Sequence, residues 1–544
     1  MRLCPKWGWF AAFTTIFAVC AAYVFWGTWS TEFAPVMPDC AASYSAHWFL
    51  DFLRGWLENG KFAPAEAINW IGSPYLWTEF QYAFAAYMSA LALAYFLRGR
   101  GLPRVAAYGA GLLLAFSGYW FTLFSAGHLG WFQWMTYGVF VFGLVDRALE
   151  KGKIRHWVLL GACLAWASMR QPDLWLLFSA FSGVYFVFRL VVVLRAAGRD
   201  GRPPLAARWA KGAAIALAAL LVIGGASFRS AFVNDLAGRE RQIERGETVG
   251  ANVADDAERR WIFTTNWSMP PEATFEFWHA GVEGDTSCPF TLAIGEKLHT
   301  GVRPYTGRLG RPLGAPSGNY RQHSLYVGCA TLLFAALAAF TVILNRRLLD
   351  DSRSKAETLT ILFFLVAAVV FWLFSMGRYC APVYRLVYAL PFGDYLRAPV
   401  KWHHLTELCL CVLAGYGISV WTRLDGKFIG RRGKVAGAVA AVLLGTADLA
   451  YSARLYCAPH RADADMQFMD GRITQDPRGI AQLNQMRARV LGTYQGAALV
   501  EVPRQKKKDE PKPELPSPQP ATLALGLLSL VGTLGAIAYG VKES

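Results

Sequence analysis

Between Gly377 and His404 the chain reads GRYCAPVYRLVYALPFGDYLRAPVKWHH, with four cations, Arg378, Arg385, Arg397 and Lys401, interleaved with Tyr and Trp. A guanidinium offers a planar fork that takes two phosphate oxygens at once, and an ammonium adds a mobile point charge. The cluster therefore suits an anionic headgroup. The same residue types also serve as interfacial anchors, through snorkelling cations and an aromatic belt.

Three further positions carry chemistry. Asp39 follows Pro38 just beyond the first apolar stretch. A carboxylate near apolar surroundings has its pKa raised toward the working range and can deprotonate a hydroxyl nucleophile, so Asp39 is the first choice for a catalytic base. A helix N-cap or a solvated loop residue is the alternative reading. His128, in the turn SAGHLGW, reads either as a catalyst or as an interfacial hydrogen-bonder. Arg170, Gln171 and Asp173, in SMRQPDLW, put a cation, an amide and an acid at the end of an apolar stretch. Charges at membrane depth are costly and are normally paired or functional, and Arg170 with Asp173 also reads as a local salt bridge.

The elements that must position these groups follow from composition. Of 544 residues 54% are hydrophobic and 17% charged, a balance that excludes an ordinary soluble protein. The net charge of +16 does not point to nucleic acid, because the basic residues cluster between apolar runs. Ten cysteines without a CxxC pair support neither a zinc ribbon nor a thioredoxin-type motif.

Apolar stretches recur near residues 7–30, 75–97, 104–124, 129–146, 156–169, 173–195, 211–228, 324–344, 357–375, 403–421, 435–452 and 521–540. The expected fold is an all-α polytopic membrane protein with about 12 transmembrane helices. The short-loop cations fall on one side if the spans alternate, which makes that side and both termini cytoplasmic. Long connections near 31–74, 229–323 and 453–520 then face outward, where loops on a rigid scaffold collect binding residues. The organisation is a membrane core over 1–452, a small outer segment over 453–520 and a last helix over 521–544.

Within the outer connections, 44–59 repeats aromatic and aliphatic residues at helical spacing and reads as a helix on the membrane surface. Residues 504–520, charged and Pro-rich, read as an extended tether. Cys40, Cys288, Cys380 and Cys457 all fall on the outer side, where they form two disulfides or remain four unpaired thiols.

Several separated segments resemble the YfhO-like bacterial membrane proteins, relatives of the GT-C superfamily of polyprenyl-phosphate-sugar glycosyltransferases. They are PDC with Asp39, the AGH turn with His128, WSMPPEATFEFWHAG over 267–281 followed by PYTGRLG, HSLYVG over 323–328, and LRAPVKW over 396–402. Family members carry Arg-x-Pro-x-Arg where this chain has Arg397, Pro399 and Lys401, which keeps the charge but not the second fork.

The resemblance implies a GT-C-like arrangement in a bacterial inner membrane. It also implies transfer of a sugar from a polyprenyl-phosphate donor to an envelope or secreted acceptor at the outer face. By the same resemblance Asp39 activates the acceptor and Arg397 and Lys401 neutralise the departing lipid phosphate. His128, Arg170, Glu272 and Arg378 are further headgroup or sugar contacts. Some GT-C enzymes use a divalent cation and others do not, and no ligand cluster in this sequence marks a metal site. A lipid or glycan transporter and a non-catalytic envelope scaffold are the competing readings.

Overall fold

The computed structural model describes residues 5–25, 33–36, 56, 64, 78–121, 129–169, 172–196, 202–231, 236–244, 255–280, 285–294, 297–303, 324–344, 352–391, 393–423, 430–457, 460–461, 498–501 and 520–542. The surface helix expected over 44–59, apart from Trp56, and the tether over 504–519 lie outside them.

A helix lies on each of the twelve apolar stretches. In chain order these are α1 Pro5–Val24, α2 Thr78–Gly99, α3 Arg104–Ala115, α4 Leu129–Lys151, α5 Ile154–Ser168, α6 Pro172–Ala196 and α7 Arg202–Ser230. After the short helices α8 Leu236–Glu244 and α9 Asp256–Thr265 come α10 Cys329–Leu344 and α11 Ser352–Ser375. The short α12 Ala381–Tyr388 leads to α13 His403–Arg423, α14 Arg431–Cys457 and α15 Pro520–Lys542. Among the described residues six helices are long and apolar enough to cross a membrane, which gives the chain the character of a membrane protein. The fifth apolar stretch, α5, has 15 residues and rises only about 22 Å at 1.5 Å per residue.

At the centre stands α13, apolar around almost its whole circumference and buried nearly throughout His403–Ser419, as a core helix must be. It packs on α3, α10, α11 and α14. To one side α2 packs on α3 and α4, α4 on α5 and α6, and α5 on α7, with α15 against α5 and α7. Glycines allow three of these approaches: Gly111 lies against the Ala90 carbonyl, Gly161 against that of Ala216, and Gly417 against that of Phe334. Close backbone contact through small residues replaces the hydrophobic drive that lipid does not supply.

The all-α expectation meets a small β content. Strands β1 Phe33–Val36, β4 His460–Arg461 and β5 Ala498–Glu501 form one sheet in the order β1-β5-β4, and β2 Asp285–Ile294 pairs antiparallel with β3 Lys297–Arg303. All of these strands fall within or beside the three long connections, where the chain has no apolar helix to continue. Cys380 is a free thiol, so it takes part in neither expected disulfide; the side chains of Cys40, Cys288 and Cys457 lie outside the described residues.

Candidate functional site

Stretches far apart in sequence converge at the end of the bundle where α11 stops and α13 starts. The Met269 amide donates to the Ser375 carbonyl at 2.8 Å, and the Val400 amide to the Trp267 carbonyl at 3.1 Å. The Val327 amide donates to Phe277 O at 3.4 Å, and that of Gly118, just beyond α3, to Tyr326 O at 2.8 Å. Glu276, buried in the 3-10 turn Pro271–Phe277, accepts the Leu325 amide at 3.3 Å. Three segments quoted for the family resemblance, those around 267–277, 324–328 and 396–402, are therefore one connected structure.

Its local conformation is unusual. Trp267 (φ 57°) and Ala398 (φ 66°) are the two non-glycine residues in the left-handed region among the described residues. A side-chain β-carbon makes that conformation cost about 1–3 kcal/mol, which persists only where surrounding bonds over-determine it. Arg397 directly precedes the second of them. Its guanidinium carbon lies 5.1 Å from the centre of the Trp267 ring and 5.6 Å from that of buried Phe263, a cation–π arrangement.

Arg378 and Lys401 are placed differently from Arg397. Arg378 donates through Nε and Nη2 to Thr265 O at 3.0 and 2.6 Å, and through Nη2 to Asn266 Oδ1 at 3.0 Å. Burial pushes its pKa below the usual arginine value. Lys401 is buried and forms an ion pair with buried Asp173 at the start of α6. Glu272 is half-buried in the Pro271–Phe277 turn, near Thr274, whose hydroxyl accepts from Trp372 Nε1 at 3.1 Å. Asp39, His128 and Arg170 lie outside the described residues.

A surface strut backs the site. Arg260 of α9 pairs with Glu240 of α8, with Asp256 at 3.0 Å and with Asp394 at 3.5 Å, while Tyr395 donates to Glu240 at 3.0 Å. Hydrogen bonds from Arg260 hold the Glu240 and Asp256 carboxyls below their ordinary values. The helix α9 itself is started by Asp255, whose side chain accepts the Ala257 and Glu258 amides.

Two polar clusters were not anticipated as units. In the first turns of α13, His403 Nε2 and His404 Nδ1 lie 3.7 and 3.8 Å from the Glu407 carboxylate, and that carboxylate accepts a hydrogen bond from Ser117 of the α3 end. Tyr119 and Trp120 stack on His404 with ring centres 4.3 and 4.1 Å away. At the opposite end of the bundle, Arg189 binds Asp146 and Glu150 at 2.6 Å each, and Tyr185 donates to Asp146 at 2.8 Å. Arg100 donates to Thr360 at 2.6 Å and to Tyr416 at 3.5 Å, and lies 3.8 Å from Asp146. Charged residues inside apolar stretches, as with Glu407, Asp146 and Arg189, were the available signal for both. Among the described residues no three His, Cys, Asp or Glu side chains are grouped to hold a metal ion.

Scans against protein-family models and against curated proteins return no match to this chain.

Proposed function

We propose that this protein is a membrane glycosyltransferase that moves a sugar from a polyprenyl-phosphate donor to a cell-envelope or secreted acceptor. In this reading all twelve apolar helices cross a bacterial inner membrane in a GT-C-like arrangement. Both termini are cytoplasmic and the Trp267–Arg397 end faces outward. Asp39 is the acceptor's base, Arg397 contacts the lipid phosphate, and Lys401, neutralised by buried Asp173, anchors the Pro399–Trp402 turn beside Arg397.

One observation carries the reading: an arginine set against two aromatic rings, between two strained backbone positions, where three segments of the family resemblance meet. Preorganised positive charge at a bundle end suits an anionic leaving group that arrives on a lipid. The test is envelope glycan analysis in cells carrying Asp39→Asn or Arg397→Gln in place of the natural chain, with protein level followed by blot. We expect loss of one glycan modification in both. Intact glycans with either variant at normal level would remove that residue from the chemistry, and intact glycans with both would end the proposal.

Transport of a lipid or glycan is the second reading, favoured by buried ionic clusters at both ends of the bundle. Proteoliposomes separate the two: transfer liberates polyprenyl phosphate from a polyprenyl-phosphate-sugar, whereas transport moves the intact lipid between leaflets.

A further inference from the structure

The backbone around half-buried Trp267 is held from both sides. On its N-terminal side, Arg378 grips the Thr265 carbonyl and the Asn266 side chain. On its C-terminal side, Ser268 Oγ accepts the Arg378 amide at 3.0 Å and the Met269 amide is fixed by Ser375. Its own carbonyl accepts the Val400 amide. Gly377 (φ 48°) lets the chain pass so closely that a β-carbon there would overlap Ser268 Oγ and the Pro399 ring. These bonds outweigh the cost of the left-handed backbone and fix the indole beside the Arg397 guanidinium.

A half-buried indole with a guanidinium over its ring, 5.1 Å from the ring centre, matches a ligand in which a sugar is bonded directly to a phosphate. Phosphate oxygens take charge-assisted, bidentate hydrogen bonds from arginine. The C–H face of a pyranose ring lies on an aromatic face by apolar burial and weak C–H contacts. We propose that Trp267 is the sugar-stacking platform and Arg397 the phosphate fork of one headgroup subsite, with Arg378 the positioning residue that holds Trp267 in register. This inference rests on the glycolipid-donor reading and deepens it by naming which part of the headgroup each side chain takes.

The test uses the full-length chain in lipid nanodiscs and three probes: undecaprenyl phosphate, undecaprenyl-phosphoglucose and glucose 1-phosphate. Affinities are read from the ligand-induced shift in thermal midpoint. Arg397→Gln should weaken both lipids by about tenfold or more, the scale of a lost charge-assisted contact. Trp267→Gly removes the ring and keeps the backbone conformation without strain. It should weaken undecaprenyl-phosphoglucose by about tenfold and undecaprenyl phosphate by less than about twofold. Trp267→Phe should restore most of that discrimination, and Arg378→Gln should lose it as Trp267→Gly does.

Equal effects of Trp267→Gly on both lipids, or none on either, overturn the platform while leaving the donor reading intact. Unchanged lipid binding by Arg397→Gln overturns the donor reading itself. Glucose 1-phosphate binding as tightly as the glycolipid reassigns the subsite to a free sugar phosphate and overturns the lipid assignment.

Discussion

The ammonium of Lys401 and the carboxylate of Asp173, 228 residues apart in the chain, form an ion pair with side chains only 7% and 3% exposed. It ties the lead-in to α13 to the first turn of α6. Removing one member of a buried pair strands the other charge and costs about 3–5 kcal/mol, whereas replacing both with apolar residues is often neutral. Lys401→Met and Asp173→Leu should therefore each lower the thermal midpoint and the yield of folded protein in detergent, and the double variant should recover much of both. Additive losses in the double variant would contradict the pairing.

Ala398 keeps a left-handed backbone that glycine adopts freely. Ala398→Gly should stabilise the chain by up to about 1 kcal/mol, the strain relieved less the extra entropy of the unfolded state. A thermal melt measures this. A lower midpoint would mean that the Ala398 methyl contributes more by packing than its backbone costs.

Gly417 of α13 lies against the Phe334 carbonyl of α10, with no room for a β-carbon, whereas Gly183 of α6 has open space. Gly417→Ala should cost about 1–3 kcal/mol by forcing two backbones apart. Gly183→Ala should leave the thermal midpoint unchanged or slightly raised, because alanine is the better helix former.

Acid should loosen the strut behind the site. Glu240 and Asp256 have folded-state pKa values below their ordinary values of 4.5 and 3.8, chiefly because Arg260 donates hydrogen bonds to them. The unfolded chain then binds more protons in that range, so their contribution is complete above about pH 5 and is lost as pH falls through the folded values. Both groups face water, so the effect is small. The measurement is the difference in thermal midpoint between pH 7 and pH 3.5, which should be smaller in Arg260→Gln than in the natural chain.

Helix positions were the most legible part of the sequence, since long, mainly apolar stretches leave few alternatives. The aromatic setting of Arg397 was legible too, from the Tyr and Trp residues around the LRAPVKW segment, and its guanidinium lies over the Trp267 ring. What escaped was pairing at a distance. Asp173 is bound by Lys401, 228 residues on, a contact that its nearness to Arg170 in sequence does not suggest. Arg378 looked like one more headgroup cation, and it grips the backbone that precedes Trp267. Trp267 drew no attention because an aromatic near an apolar stretch is ordinary, and only its φ and its neighbours set it apart.

The Arg100–Asp146–Arg189–Glu150 cluster has a mechanical consequence. Through Tyr185, Thr360 and Tyr416 it fastens α4, α6, α11 and α13 at one pole of the bundle, away from Trp267. Sliding these rods there would strip several charges of their partners at once. Relative sliding of these four helices at that pole is therefore opposed by charge as well as by packing.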